Sequence, residues 1–153
     1  MVGMDRVACR MTAGNVKILN QRLMYIRKCI PNSFARLPRG IKDMQRYKAT
    51  ELRQLLLYTG KVVLKDLMAS KAHYENLVEL NVGCGLLSDS TKACTENEYA
   101  HHLLTNFVRH ARTLYGGSFM VYNIHSILHL AQTAEIHGHL DAVSAYAFES
   151  KLG

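Results

Sequence analysis

A mainly α-helical protein, a bundle of about six helices, is the fold class this sequence predicts. Three observations lead there. Only two prolines, Pro31 and Pro38, interrupt the chain. Apolar residues recur three and four positions apart rather than at alternate ones, the spacing that gathers side chains on one face of a helix. Glycines or a proline stand where those stripes run out.

In chain order, Val16, Leu19, Leu23, Ile26 and Ile30 form the stripe of a first helix that stops at Pro31. The segment 31–48 holds both prolines, Ser33, Gly40 and a run of cations, and is expected to be a basic connector without an element of its own. A second helix is predicted from Ala49 to Tyr58, with Leu52, Leu55 and Leu56 on one face and Gly60 as its C-terminal stop. Val62, Val63, Leu64, Leu67 and Met68 start a third. From Ala72 to Leu87, Tyr74, Leu77, Val78 and Leu80 keep helical register, although Gly83 and Gly85 each cost about 1 kcal/mol relative to alanine.

Thr95 and Glu98 have the spacing of a capping box, which opens a fifth helix. Its inward face reads Tyr99, Leu103, Phe107, His110 or Ala111, and Leu114, and Gly116 and Gly117 close it. A sixth helix from Phe119 to His137 is expected to turn Val121, Ile124, Leu128 and Ala131 inward and to end at Gly138. From near Ser144 the last residues read as the opening turns of a helix too short to stand alone, so the chain is expected to be a fragment. The helical domain is drawn as one unit over 16–153, with 1–15 unassigned.

With 153 residues, 48% hydrophobic and 20% charged, the chain is long and apolar enough for a core, which excludes wholesale disorder. Its four cysteines, Cys9, Cys29, Cys84 and Cys94, form no CxxC pair and read as reduced thiols of an intracellular protein. No apolar run approaches the roughly 20 residues of a membrane helix, so no membrane partner is expected. Charge is uneven. Residues 1–65 carry fourteen Lys or Arg against three acids, and residues 66–153 carry five against nine, a split of +11 and −4 within the net +7. A basic half of this kind suits a polyanion, because cations that displace counterions from phosphates gain affinity whatever the sequence.

Eight histidines invite a metal reading. His125 and His129 lie four apart, on one helix face, but a zinc site needs further ligands and Ser126 stands where HExxH requires Glu. Buried, hydrogen-bonded histidines are the expectation instead. No nucleophile elbow, phosphate loop or dinucleotide glycine pattern is present. The cations of the connector, Arg36, Arg39, Lys42, Arg46 and Lys48, are the candidates for contact with a DNA phosphate backbone, with Tyr47 among them to stack or to pack. No helix-turn-helix or zinc-finger pattern accompanies them, so base reading is not expected.

Two long segments resemble a known family. Leu37 to Met68, LPRGIKDMQRYKATELRQLLLYTGKVVLKDLM, is similar to a segment in the C-terminal half of CACTA-type DNA transposases of animals, with its L-P-R element, K-A-T/S-E and leucine-rich helix. Leu114 to Gly153, LYGGSFMVYNIHSILHLAQTAEIHGHLDAVSAYAFESKLG, resembles the same family's Y-N-x-H-x-x-L-H-L block and its closing L-D-x-x-S-A-F-P-F-E-x-x-L-G. Ala147, Lys61 and His139 depart from that pattern.

The resemblance implies the helical insertion and last helix of an RNase H-like core, in which three carboxylates hold two divalent metals. It places the first two aspartates and a D-x-x-H element ahead of the matched segments and puts the third carboxylate at Glu149. The implied protein is a nuclear, transposon-derived fragment that is no enzyme alone and needs no cofactor, Mg or Mn belonging to a full-length relative. A non-enzymatic helical module for protein interaction or RNA binding is the alternative.

Overall fold

The computed structural model describes residues 10–31, 34 and 36–143; the expected last helix and Glu149 lie outside them. The described residues are mainly helical and include no strand. Where the sequence suggested one helical unit over 16–153, the described chain packs as two compact units, Arg10–Tyr74 and residues 75–143.

In the first unit, α1 (Ala13–Arg27) begins three residues before Val16 because Thr12 caps it, its Oγ1 accepting the Asn15 backbone N–H at 3.1 Å. The predicted stripe is the packed one: Leu19 and Leu23 are buried with Val63 and Leu67, and Ile26, Met24 and Leu55 pack around them. The connector is not featureless. Ile41–Arg46 forms a 3₁₀ helix, and Asn20 on α1 anchors its start by accepting the Ile41 N–H at 3.2 Å. A Cβ at Gly40 would stand 2.6 Å from the Asn20 Oδ1, so a larger residue would have to displace this side chain.

Gly60 does not stop the second helix. α2 (Ala49–Gln54) runs through a π-turn at Leu55–Thr59 into α3 (Gly60–Val63), and the Gly60 N–H donates to the Leu55 carbonyl five residues back. A Cβ at Gly60 would collide with that carbonyl oxygen, so the glycine widens the helix by one residue instead of ending it. Leu52 faces solvent, and no separate third helix forms over Val62–Met68. Asp66 turns the chain with φ of 62° and Leu67 folds back into the core. Arg22 and Asn15 hold this turn: Arg22 Nη1 donates to the Val63 and Lys65 carbonyls at 3.1 and 2.6 Å, and Asn15 Nδ2 to that of Leu67 at 3.0 Å.

α4 (Lys71–Ser88) gives its first turn to this unit and the rest to the second. It runs through Gly83 and Gly85. Gly83 is buried where a Cβ would lie 2.7 Å from Leu104 Cδ2, so its absence lets α4 and α6 (Asn97–Tyr115) approach closely. Asn76, buried on α4, donates to the Phe107 carbonyl at 3.0 Å.

The Thr95–Glu98 cap does not form. Thr95 is already the last residue of α5 (Lys92–Thr95), and α6 opens on Glu96 with no side-chain cap. Asp89 does the capping one element earlier, its Oδ1 accepting the N–H groups of Thr91 and Lys92 at 2.9 and 3.1 Å. The buried stripe of α6 is Ala100, Leu104, Phe107, Val108 and Ala111, about one residue round from the expected face, so Tyr99 and His110 are exposed.

Gly116, at φ of 82°, ends α6 as the sequence indicated. The predicted sixth helix is instead broken into a 3₁₀ turn at Gly117–Phe119, α7 (Tyr122–Ser126), a 3₁₀ turn at Ile127–His129, and α8 (Leu130–His137). The Ser126 hydroxyl donates to the Asn123 carbonyl at 2.8 Å, competing for a backbone acceptor where the ladder tightens. Val121 precedes α7 and faces solvent, whereas Ile124, Ile127 and Leu128 pack on Phe107, Val108 and Ala111. Gly138, at φ of 88°, closes α8 and α9 (Leu140–Val143) follows.

Candidate polyanion-binding surface

Two of the predicted phosphate contacts, Lys42 and Arg46, are carried by the 3₁₀ helix Ile41–Arg46, and both side chains are exposed. Lys48 is exposed one step before α2, and Arg36 is exposed ahead of Pro38. The fifth, Arg39, has another task. Its Nε and Nη2 each donate at 2.7 Å to one oxygen of Glu51, which is 4% exposed, and Nη2 also donates to the Arg46 carbonyl. A planar guanidinium gripping both carboxylate oxygens is the strongest geometry available to an ion pair.

The Glu51 carboxylate is held below its ordinary range, first by this hydrogen bond with Arg39 and then by the Lys48 N–H that its Oε2 accepts at 2.8 Å. Glu51 thereby caps α2 and closes the basic segment onto it. Arg39 is a positioning residue of this surface, not one of its free charges.

Tyr47 packs against Arg39. Its hydroxyl donates to the Arg39 carbonyl at 2.6 Å and its ring lies 5.6 Å from the Arg39 guanidinium carbon; burial pushes its phenol up. Two further arginines are spent internally: Arg22 on the turn after α3, and Arg27, whose Nη1 donates to the buried Pro38 carbonyl at 3.0 Å. Sequence reasoning missed Glu51, Arg22 and Arg27. Glu51 was visible as the Glu three residues after the last connector residue, but a lysine at the cap position disguised the signature.

The charge boundary follows the packing boundary. Arg10–Tyr74 carries fourteen Lys or Arg against Asp43, Glu51 and Asp66, a net of +11, and residues 75–143 carry three against seven acids, a net of −4. No protein-family model, curated protein or solved structure matches the chain. The surface therefore stands on its own geometry.

His125 and His129 are exposed on the solvent side of α7 and the following 3₁₀ turn, which corrects the expectation that they are buried. Ile124, Ile127 and Leu128 of the same segment are the side chains that pack on the Phe107 cluster. Among the described residues no group of three His, Cys, Asp or Glu side chains is placed to hold a metal ion. Nor is any described helix long and apolar enough to cross a membrane.

Proposed function

We propose that the chain is a transposon-derived segment of a CACTA-type transposase, the helical insertion of an RNase H-like core, which binds the phosphate backbone of DNA without reading bases. The observation that carries the binding part is the mounting of Lys42, Arg46 and Lys48 on a segment locked to α2 by Arg39 and Glu51, in a unit of net +11. A backbone already ordered in this way has less conformational entropy to lose when its cations meet phosphates, and each contact adds the entropy of a released counterion.

The ancestry part rests on the two ordered segments, Leu37 to Met68 and Leu114 to Gly153. Those segments include one of the family's three carboxylates, at Glu149. Two-metal phosphoryl transfer needs the others to hold its ions, so the chain by itself carries out no strand transfer, and Mg or Mn belongs to a full-length relative. A nuclear location goes with this reading.

Electrophoretic shift with random-sequence duplex tests it. Binding is expected at low salt, with no sequence preference and little left at high salt. Failure to shift any duplex at low salt would remove the DNA reading, and metal-dependent nicking by the purified chain would remove the claim of inactivity.

A further inference from the structure

Helix α1 carries a second stripe beside its core-facing one. Ile18, Gln21, Arg22 and Tyr25 recur at steps of three and four, and Tyr25 is 70% exposed. Gln21, Arg22, Tyr25 and Ile26 form one wall of a groove of about 540 Å³, and Val62 and Val63 of α3 form the other. Val62 is 57% exposed. The groove is lined mostly by apolar side chains, and its one guanidinium, Arg22, is committed to the Val63 and Lys65 carbonyls that tie the walls together.

Neither α1 nor α3 contains an acidic residue. Lys17 precedes the stripe, Lys28 follows it, and Lys61 and Lys65 bracket the Val62–Val63 wall; all four are exposed. An apolar trough flanked by four exposed lysines, with Asp66 beside Lys65 as a nearby acid, disfavours a basic partner and favours one that brings carboxylates beside a hydrophobic stripe.

We propose that this groove docks an amphipathic helix of a partner protein, one whose Leu- or Phe-rich stripe is flanked by Asp and Glu. Apolar side chains at i, i+3 and i+4 of that helix fill the space between Tyr25 and Val62, and its carboxylates meet the lysine rim. A nucleic acid fits the trough less well, because most of its lining, the Tyr25 ring, Ile26, Val62 and Val63, is hydrocarbon or aromatic surface with no charge for a phosphate. The site is separate from the connector cations and does not rest on the DNA reading.

The probe is a fluorescent synthetic helix with Leu at i, i+3, i+4 and i+7 and Glu on both flanks, compared by anisotropy with a scrambled peptide, a twin carrying Lys for Glu, and oligo-dT. The Glu peptide is expected to bind at least about tenfold tighter than the scramble or the Lys twin. Tyr25→Ala, at an exposed position, should weaken it by about tenfold. The double variant Lys61→Glu and Lys65→Glu should reverse the preference between the two charged twins, whereas Lys42→Ala with Arg46→Ala should leave peptide binding unchanged. Equal binding of the scramble, or no binding of the Glu peptide, overturns the proposal. Oligo-dT binding that Tyr25→Ala abolishes would assign the groove to nucleic acid instead. Concentration-dependent self-association that Tyr25→Ala abolishes would assign it to a second copy.

Discussion

Residues 10–74 and residues 75–143 are both helical, yet different chemistry holds each together. In the first, arginines reach over long sequence separations: Arg22 to Val63 and Lys65, Arg27 to Pro38, Arg39 to Glu51. In the second, small residues let helices close on one another, with Gly83 against Leu104 and with Ala100 and Ala111 on the buried face of α6. The first unit thus spends arginines on its fold and leaves most of its lysines in water, which is how a strongly basic segment can be both ordered and available to an anion. The second rests mainly on apolar packing, its buried Asn76 tied to the Phe107 carbonyl and its ion pairs, Lys92–Asp89 and His110–Glu79 among them, lying outside that core.

That contrast breaks first, and hardest, at the helix contact. Leu104 is 1% exposed, and Leu104→Ala should cost about 2–5 kcal/mol. Cys84 provides the readout: it is buried, and burial pushes its thiol up to about 11, whereas Cys29 and Cys94 are exposed. A thiol reagent should label Cys29 and Cys94 at once and Cys84 only after opening, sooner in the variant. Immediate labelling of Cys84 in the parent chain would contradict the packing described.

A paired substitution comes next. Gly83→Ala gains about 1 kcal/mol of helix propensity but meets Leu104, where overpacking costs about 1–3 kcal/mol, so it should be neutral to destabilising. Gly85→Ala meets nothing within 4 Å and should stabilise by up to about 1 kcal/mol. Urea denaturation of the two variants side by side checks the sign difference, and two stabilised proteins would show that α4 and α6 do not approach at Gly83.

The smallest effect sits in the first unit and depends on pH. Glu51 has its pKa depressed in the folded chain, so its contribution is present above the unfolded value of about 4.3 and is lost as pH falls through the folded value. Glu51→Gln should therefore be less stable than the parent at neutral pH, with the gap closing as pH drops below about 4. Because Arg39 lies at the surface, the gap is modest. A gap that stays constant down to pH 2 would mean that the pair is not what secures the segment.

Much of this was legible in the sequence and some was not, for identifiable reasons. The core face of α1 and the glycine stops at Gly116 and Gly138 could be read because each depends on local spacing or on a positive φ. Gly60 was misread because a π-turn and a helix stop both call for glycine, and only the Leu55 carbonyl distinguishes them. The inward face of α6 was set one residue off because Tyr99 and Leu103 outweigh Ala100 and Leu104 in hydrophobic bulk, whereas close packing selects the small residue. Among the candidate cations, sequence could not separate Arg39 from its neighbours, since its partner Glu51 lies twelve residues away.

The availability of the remaining cations is the centre of the account, and the salt dependence of duplex binding measures it most directly. A plot of log K against log salt for the parent chain should slope downwards by about 0.9 per phosphate contact, and Lys42→Ala, Arg46→Ala and Lys48→Ala together should flatten it by about 2–3 while leaving the fold intact. An unchanged slope in the triple variant, with the parent still binding, would place the anion-binding surface elsewhere and contradict the account.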